Sequence, residues 1–350
     1  MANIMMTDAC NLRCPYCFAN EFVNKDRNDI TEENFDKAVQ FIVGDGSHTS
    51  VGLIGGEPTI HSQFEYFLRK LIANEKVQRI TVYTNGICLD KYFDIISHPK
   101  VYLLVNCNCP SDIGESNFAK LCQNLDHLLM QRMMEEQITL GINMYGANFE
   151  YEYFVDLLKK YHCKKARVSI TVPNTSNGRN IDAHGYFSSM KPRLFKFFHE
   201  LLGNGIIPNF DCNKIPSCLL TKDDVDQFAK YMSNEFIRKN IGRSNIVNPV
   251  VRCSPVIDIR QDLTAVRCFG LSEYTKTKIT DFHCISELQN YYMRTVDAYA
   301  YNTVYSEKCT ACRGRNVTEC MGGCLAFKID DIMKMQKFAA SLQDAHRTAE

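Results

Sequence analysis

The sequence predicts an α/β fold, a partial (β/α)6 barrel of the TIM-like kind, followed by a smaller cysteine-rich C-terminal domain. Three observations lead to this prediction. Between residues 31 and 171, short apolar runs alternate with amphipathic helical patterns, as in parallel strands joined by helical crossovers. Counting a first strand over 4–7, the alternation gives about six strand–helix units. The alternation stops after Pro173, and beyond residue 248 the chain has little periodicity and many cysteines.

The individual elements follow from the spacing of apolar residues. Thr31 is followed by two glutamates and is typical of a helix N-cap. Strands are predicted over 51–54, 80–83, 101–105, 138–144 and 166–171. Helices are predicted after Thr31, near Phe64–Leu71, and through 121–134, 151–161, 186–203, 222–238 and 328–345. We therefore expect a barrel core over 1–173, a helical connecting region over 174–247, and a C-terminal domain over 248–350.

Composition excludes several classes of protein. The 350 residues are 45% hydrophobic, which is too apolar for a disordered chain. Forty basic and forty acidic residues cancel, so charge gives no argument for a nucleic-acid or membrane partner. No apolar run reaches the roughly 18 residues that span a bilayer, and the N-terminus does not resemble a signal peptide. We expect a soluble, cytoplasmic protein.

Seventeen cysteines are many for a reducing compartment, where metal or catalytic thiolates are favoured over disulfides. Three of them open the chain as Cys10-Asn-Leu-Arg-Cys14-Pro-Tyr-Cys17, directly after the predicted first strand. Three thiolates in one loop can hold three irons of a [4Fe-4S] cube and leave the fourth iron open. A structural zinc site is the alternative, with its remaining ligands supplied from a distant part of the chain.

This loop resembles that of the radical S-adenosylmethionine (radical SAM) enzymes. The resemblance rests on the C-x3-C-x-aromatic-C spacing and on Gly55-Gly56-Glu57-Pro58 after the second predicted strand, and it spans roughly residues 3–171. It implies that the open iron binds the amino and carboxylate groups of S-adenosylmethionine. One electron from the cube then cleaves the sulfonium to a 5′-deoxyadenosyl radical, which abstracts a substrate hydrogen.

The resemblance also implies a set of cofactor-binding residues at the carboxyl ends of the strands. Gly55 and Gly56 would let backbone approach the methionine part, and Glu57 would accept from its ammonium group. Tyr16 would lie against the adenine. Further candidates follow the third, fourth and fifth strands, where they would contact the methionine end or the ribose: Thr84, Asn85, Asn106, Asn108 and Asn143. An asparagine at these places is also a common turn residue. The catalytic residues are not identified.

A second group of cysteines lies near the C-terminus. Its members are Cys253, Cys268, Cys309, Cys312, Cys320 and Cys324. The Cys-x2-Cys and Cys-x3-Cys pairs fit a zinc ribbon as well as iron–sulfur ligation. Behind a radical SAM domain the block resembles the SPASM extension, which implies auxiliary [4Fe-4S] clusters.

The SPASM resemblance implies two auxiliary clusters, although a single cluster, as in the related twitch extension, is an alternative. Cys253, Cys268 and Cys324 would hold the first cluster, and Cys309, Cys312 and Cys320 the second. The sequence departs from the usual pattern, with Leu263 where the family has glycine and no cysteine after Cys324. The missing ligands would be Cys212 and Cys218, with Asp330, Asp331 or an open iron as alternatives.

Auxiliary clusters favour a net two-electron oxidation, because they offer an electron a path away from the substrate. By analogy with SPASM enzymes, we expect the substrate to be a side chain of a ribosomal peptide or protein. A small-molecule radical dehydrogenase or epimerase is the alternative enzyme, and a non-catalytic zinc or iron–sulfur protein is the alternative outside enzymes. The expected external partner is an electron donor such as flavodoxin or ferredoxin.

Overall fold

The computed structural model of the protein describes residues 2–17, 19, 23–24, 27–171, 182–210, 215–243, 253, 256–271, 275–303, 307–313 and 324–347. Ten strands join in one sheet. They are β1 (Ala2–Met5), β2 (Ser50–Ile54), β3 (Arg79–Thr84), β4 (Val101–Asn106), β5 (Ile138–Met144), β6 (Lys165–Ile170), β7 (Ile207–Phe210), β8 (Ile257–Ile259), β9 (Thr264–Val266) and β10 (Thr277–Lys278).

Strands β1 to β7 lie side by side in chain order, and every neighbouring pair is parallel. Strand β8 pairs parallel to the other edge of β1, with Ala2 opposite Ile257. Strands β9 and β10 then add antiparallel, which completes the order β10-β9-β8-β1-β2-β3-β4-β5-β6-β7. The predicted α/β fold with a partial TIM-like barrel is confirmed, since helical crossovers connect a curved run of parallel strands.

The α-helices of the described residues connect and flank these strands. They are α1 (Glu32–Val43), α2 (Phe64–Ala73), α3 (Phe93–Ile96), α4 (Pro110–Ile113), α5 (Glu115–Leu125), α6 (Glu152–Lys160), α7 (Ala183–Gly203), α8 (Lys222–Ala229), α9 (Glu235–Asn240), α10 (Ile285–Tyr292), α11 (Ala298–Asn302), α12 (Glu307–Thr310) and α13 (Ile329–Arg347). Thr31 caps α1 as predicted, since its side chain accepts from the backbone of Asn34 at 3.2 Å. No helix among the described residues is both long and apolar enough to cross a bilayer.

The two faces of the sheet differ in polarity. Alternate strand residues that face the helices are buried and apolar, among them Ile4, Leu53 and Val82. On the opposite face, the inner face of the barrel, the strand register places Asn106 beside Gly141 and Gly141 beside Arg167. Successive side chains of a strand point to opposite faces, so the barrel has an apolar outer layer and a polar lumen.

Three local differences from the sequence prediction have simple causes. The region 174–247 contains β7 as well as helices. Within the described sheet this strand pairs only with β6 and so lies at an edge. It can therefore carry Pro208, because an edge strand tolerates a residue without an N–H. The helix predicted over 222–238 is divided, since a 3-10 turn at Lys230–Ser233 separates α8 from α9. The first strand begins at Ala2 rather than at residue 4.

Candidate functional site

The first three cysteines lie in the loop that leaves the carboxyl end of β1, which we call the thiol loop (residues 8–17). Cys10, Cys14 and Cys17 are all half-buried. The backbone N–H of Cys10 donates to the side chain of Asn24 at 2.8 Å, and the N–H of Leu12 donates to the sulfur of Cys10 at 3.4 Å. The N–H of Cys17 donates to the carbonyl of Cys14 at 3.1 Å. These contacts hold the loop that carries the three cysteines in a defined turn.

The three thiols influence one another electrostatically. Burial, together with the charges of Glu57, Cys14 and Cys17, raises the pKa of Cys10 to about 12, although the hydrogen bond from the backbone of Leu12 opposes the shift. Burial likewise raises the pKa of Cys14 to about 11, to which the charge of Cys17 contributes. Three thiolates in this loop would repel one another, so the ionised set needs bound cations to be stable.

The donor set fits an iron–sulfur cube better than a single ion. Among the described residues, no group of three or more His, Cys, Asp or Glu side chains could hold a metal ion. Zinc at roughly 2.3 Å from each sulfur would require thiols about 3.8 Å apart. In a [4Fe-4S] cube each thiolate binds a different iron, so the sulfurs need not converge on one ion, and iron–sulfur clusters favour soft sulfur ligands. Cys10, Cys14 and Cys17 are the residues that would hold such a cube.

Gly55 and Gly56 pack directly against the thiol loop. A Cβ atom on Gly55 would lie 2.7 Å from the carbonyl oxygen of Thr7, and one on Gly56 would lie 2.1 Å from that of Ala9. The N–H of Gly56 donates to Thr7 and that of Glu57 donates to Ala9, each at 2.8 Å. The close approach that the glycines permit is thus to the backbone around the start of the thiol loop, which joins this loop to the end of β2.

The carboxylate of Glu57 is 1% exposed and is bound by the protein itself. Its Oε1 accepts from the hydroxyls of Thr59 at 2.6 Å and Thr84 at 2.7 Å, and its Oε2 accepts from the backbone of Asn85 at 2.7 Å. Burial raises the pKa of Glu57, while these hydrogen bonds oppose the shift. Glu57 also caps the 3-10 turn that begins at Pro58. These contacts join the ends of β2 and β3, and a contact with a cofactor ammonium stays a prediction.

Asn85 connects the end of β3 to the thiol loop. Its side-chain amide donates to Asn11 at 2.7 Å, and its carbonyl oxygen accepts from the backbone of Ile87 at 3.1 Å. The amide of Asn11 in turn lies 3.7 Å from the sulfur of Cys88. Asn85 therefore contacts the thiol loop directly and Thr84 contacts Glu57, while a role of either residue in cofactor binding stays a prediction.

Tyr16 extends across the mouth of the barrel. Its hydroxyl donates to the side chain of Asn108, which follows β4. Its ring packs against Tyr145, with ring centroids 4.8 Å apart, and the hydroxyl of Tyr145 donates to Asp112 at 2.6 Å. The structure thus brings Tyr16 and Asn108 together as part of one polar wall. Tyr145 and Asp112 belong to this wall but were not predicted from the sequence, since nothing local distinguishes them from surface residues.

Arg167 is the most informative residue that sequence reasoning missed. Its Nη1 donates to the side-chain oxygens of Asn106 at 3.1 Å and Asn143 at 2.7 Å, so one guanidinium joins three neighbouring strands. Gly141 leaves room for it, since a Cβ there would lie 2.9 Å from the arginine side chain. Asn106 and Asn143 therefore lie on the same face as Arg167, and their contact with a ribose stays a prediction. The local sequence gave no signal for Arg167, since β6 also carries Lys165 and Ser169.

The C-terminal cysteines are partly described. Cys253 and Cys268 are half-buried and flank the antiparallel pair β8–β9, while Cys324 is buried. Cys324 precedes a 3-10 turn at Leu325–Lys328 that packs against the turn Phe269–Leu271 after Cys268. The remaining candidates differ: Cys309 and Cys312 are half-buried in and after α12, Cys218 is exposed, and Cys212 and Cys320 lie outside the described residues.

The β8–β9 turn is tied to both halves of the site. Gln261 donates to the buried side chain of Asp8 at 2.9 Å, and Asn34 of α1 donates to the carbonyl of Gln261 at 2.8 Å. The other oxygen of Asp8 accepts from Asn28 at 2.9 Å. Because Asp8 begins the thiol loop, the C-terminal region and the first three cysteines form one continuous structure.

An open parallel α/β barrel with three soft thiols after its first strand defines a class of barrel proteins that bind an iron–sulfur cluster at the carboxyl ends of their strands. Within this class, residues 4–158 match the model of the Radical SAM superfamily. Residues 4–158 are therefore a radical SAM domain, and the resemblance of this part of the chain to radical SAM enzymes is confirmed.

The sequence is also similar to curated relatives over part of its length. The chain is 34% identical to a GTP 3′,8-cyclase of Alkaliphilus oremlandii over 95 residues, which cover 27% of this chain and 29% of the relative. It is 26% identical to that of Clostridium botulinum over 198 residues, 53% of this chain and 60% of the relative. The chain thus spans less than two thirds of these relatives.

The fold is similar to that of Streptococcus suis SuiB bound to S-adenosylmethionine. The TM-score is 0.58 at 15% identity, and the match covers 93% of this chain and 72% of SuiB. The structure of SuiB bound to its precursor peptide SuiA matches with a TM-score of 0.55 at 14% identity. At this identity the likeness concerns the fold alone.

Proposed function

We propose that this radical SAM enzyme catalyses a net oxidation of a peptide or protein side chain, using one cluster at the thiol loop and at least one auxiliary cluster at the C-terminal cysteines. The observation that carries the first part is the three-thiol loop joined to Gly56, Glu57 and Asn85 at the ends of β2 and β3. When bound, the cube supplies the electron that cleaves S-adenosylmethionine to methionine and a 5′-deoxyadenosyl radical.

The chain's own residues would prepare the site for this chemistry. Cys10, Cys14 and Cys17 would each bind one iron and leave one iron for the cofactor. Tyr16 and its partner Asn108 would border the adenosyl part, while the amide groups of Asn106 and Asn143, oriented by Arg167, would donate to its ribose or to the substrate. Bound cofactor and substrate would fill this half-buried polar lumen, exclude bulk water and so protect a reactive radical from side reactions.

The C-terminal region supports an auxiliary cluster of the SPASM or twitch kind. Cys253 and Cys268 flank one hairpin, and the segments after Cys268 and Cys324 pack against each other. Leu263, which stands where the family pattern has glycine, lies in the β8–β9 turn with φ of 63°. A left-handed backbone at this position is the conformation that glycine adopts most easily, so the turn keeps the family geometry without the family residue.

Two auxiliary clusters remain our proposal, with Cys309, Cys312 and Cys320 at the second. The fourth ligands would come from Cys212 and Cys218. Cys218 is exposed on the 3-10 turn Ser217–Leu219, so its ligation would require this turn to close over a bound cluster. An external flavodoxin or ferredoxin would supply the electron.

The positive charge available in the lumen distinguishes the candidate substrate classes. The relatives are named GTP 3′,8-cyclases, which makes a nucleoside triphosphate the second candidate substrate. A triphosphate requires several cations. Apart from the first residues of β3 and β6, the lumen face of β1–β6, all of which the structure describes, carries one positive charge, Arg167, already engaged by two asparagines. A neutral or singly charged peptide side chain suits this lumen better.

The test is anaerobic reconstitution followed by measurement of 5′-deoxyadenosine. About twelve irons per chain would support three clusters, about eight two, and about four would remove the auxiliary part of the proposal. The 5′-deoxyadenosyl radical should abstract a hydrogen atom from a peptide encoded by a neighbouring gene and not from GTP. Zinc without iron, or 5′-deoxyadenosine formation stimulated by GTP alone, would contradict the proposal; stimulation by an amino sugar or free amino acid would favour the small-molecule dehydrogenase or epimerase.

A further inference from the structure

A buried arginine lies between the two cysteines of the β8–β9 hairpin. Arg267 is 0% exposed and directly precedes Cys268. Its Nη1 donates to the sulfur of Cys253 at 3.4 Å, and its Nη2 donates to the carbonyl oxygen of Cys253 at 3.0 Å. A fully buried guanidinium is unfavourable unless its N–H groups and its charge are compensated, so these contacts fix its position.

The opposite edge of the guanidinium is paired with Asp297. The Nε of Arg267 donates to one carboxylate oxygen at 3.0 Å, and its Nη2 donates to the other. Asp297 ends the π-helical turn Met293–Asp297, and its side chain is 9% exposed. The carboxylate occupies one edge of the guanidinium and the sulfur of Cys253 the other. The buried pair is therefore a dipole whose positive end faces Cys253.

Cys268 also lies within electrostatic range of Arg267. Burial alone would lower the pKa of Arg267, but the charges of Cys253, Asp297 and Cys268 hold it above its ordinary value. A lysine at position 267 could also form an ion pair with Asp297, but its ammonium is a single point charge. The planar fork of arginine is needed to bind a carboxylate and a thiol at the same time.

We propose that Arg267 positions and tunes an auxiliary iron–sulfur cluster bound through Cys253 and Cys268, and that its charge and its N–H···S hydrogen bond raise the reduction potential of that cluster. This inference rests on the auxiliary cluster of the proposed function. Reduction adds one electron and makes the cluster one unit more negative. A fixed positive charge and hydrogen bonds to the sulfurs favour the more negative state. The effect is large because the group is buried and not screened by water.

The test uses full-length protein in which Cys10, Cys14, Cys17, Cys309 and Cys312 are replaced by alanine, so that only the first auxiliary cluster remains. In this background the Arg267→Gln/Asp297→Asn variant removes both charges and leaves no unpaired ion. We expect it to retain about four irons per chain. We expect its midpoint potential, followed by EPR-monitored titration, to be more negative by about 59 mV or more, which is a tenfold loss of electron affinity.

A matched control lies nearby, between the β8–β9 turn and β10. Lys278 and Asp262 form an ion pair at 3.0 Å, but their side chains are 47% and 64% exposed. The Lys278→Gln/Asp262→Asn variant removes the same two charges and should leave the potential unchanged, because solvent screens them.

The outcomes separate the inference from the proposed function. An unchanged potential at equal iron in the Arg267→Gln/Asp297→Asn variant would overturn the role of Arg267 and leave the auxiliary cluster standing. A folded background protein without iron would overturn the auxiliary cluster itself. If the double variant does not fold, Arg267→Lys takes its place. It keeps the charge but cannot bind Asp297 and Cys253 together, so its potential should fall by less, and no fall would contradict the proposal.

Discussion

Gly56 lies where the second strand meets the thiol loop, and its missing side chain determines how closely the two can pack. Its N–H donates to Thr7 while the next N–H, that of Glu57, donates to Ala9. The carboxylate of Glu57 then continues the connection to Thr84 and Asn85 at the end of β3. The contacts of Gly56 and Glu57 therefore fix the start of the thiol loop against the ends of β2 and β3.

The Gly56→Ala variant should loosen the thiol loop. Its Cβ would lie 2.1 Å from the carbonyl oxygen of Ala9, which is backbone and cannot rotate away. We expect a loss of about 1–3 kcal/mol in the free energy of unfolding, as for other overpacked sites. Reconstituted protein should lack about four irons and cleave less S-adenosylmethionine. Gly203→Ala is the control, since its Cβ would meet nothing within 4 Å; equal effects of the two changes would contradict the prediction.

Replacing Leu263 by glycine would have two opposing effects on stability: relief of backbone strain and loss of a buried side chain. The φ of 63° at Leu263 costs about 1–2 kcal/mol for a residue with a side chain. Its side chain is 7% exposed and belongs to the apolar core, and removing a buried leucine costs about 2–5 kcal/mol. The loss of burial wins, so Leu263→Gly should destabilise the protein by about 1–3 kcal/mol, measured by chemical denaturation. An increase in stability would show that backbone strain dominates this turn.

At the scale of the elements, Asp258 joins the first strand to the C-terminal region. Its side chain on β8 accepts from Asn3 of β1 at 2.7 Å and from the backbone of Phe269 at 3.0 Å. Gly52 of β2 makes room for Asn3, since a Cβ there would lie 1.9 Å from the asparagine oxygen. One polar cluster thus fixes β8 against β1 within the sheet.

This cluster predicts a pH dependence of stability. Asp258 is 3% exposed, and burial raises its pKa to about 7, only partly offset by Asn3 and Phe269. Because the folded pKa is above the unfolded value, this contribution to stability is fully present below about pH 4 and is lost as the pH rises to about 7. The loss amounts to roughly 4 kcal/mol. Denaturation of the protein and of Asp258→Asn between pH 4 and 8 measures it; parallel curves would contradict the assignment.

At the scale of the whole molecule, the strand that leads into the thiol loop and the β8–β9 hairpin between Cys253 and Cys268 belong to one sheet. Strand β8 pairs with β1, and Gln261 after β8 donates to Asp8 of the thiol loop. The auxiliary region is therefore anchored beside the strand from which the first three cysteines emerge. A short electron path between substrate and auxiliary cluster would follow from this arrangement.

The two cysteine groups should be separable by substitution. Replacing Cys10, Cys14 and Cys17 by alanine should abolish cleavage of S-adenosylmethionine, because no cube with an open iron can form. Replacing Cys309 and Cys312 should leave cleavage measurable while product formation falls, since an electron exit is lost. Quantifying 5′-deoxyadenosine and product in the same reactions tests both expectations. Cleavage that survives the triple change would show that the thiol loop has been assigned wrongly.

The amino-acid sequence by itself determined the α/β fold, the order of its first six strands and the place of the three thiols. These features are encoded locally, by apolar spacing, by the Thr31 cap and by the cysteine spacing. Strand β7 was not predicted, because four residues with a proline carry too weak a pattern.

Only the tertiary structure decided which polar groups meet. Asn3 and Asp258 are 255 residues apart, and Arg267 finds Asp297 across 30 residues. Nothing in the local sequence distinguishes Arg167 or Arg267 from a surface arginine. The difference arises because a buried charge is tolerated only where folding brings compensating partners to it, and those partners come from other elements of the chain.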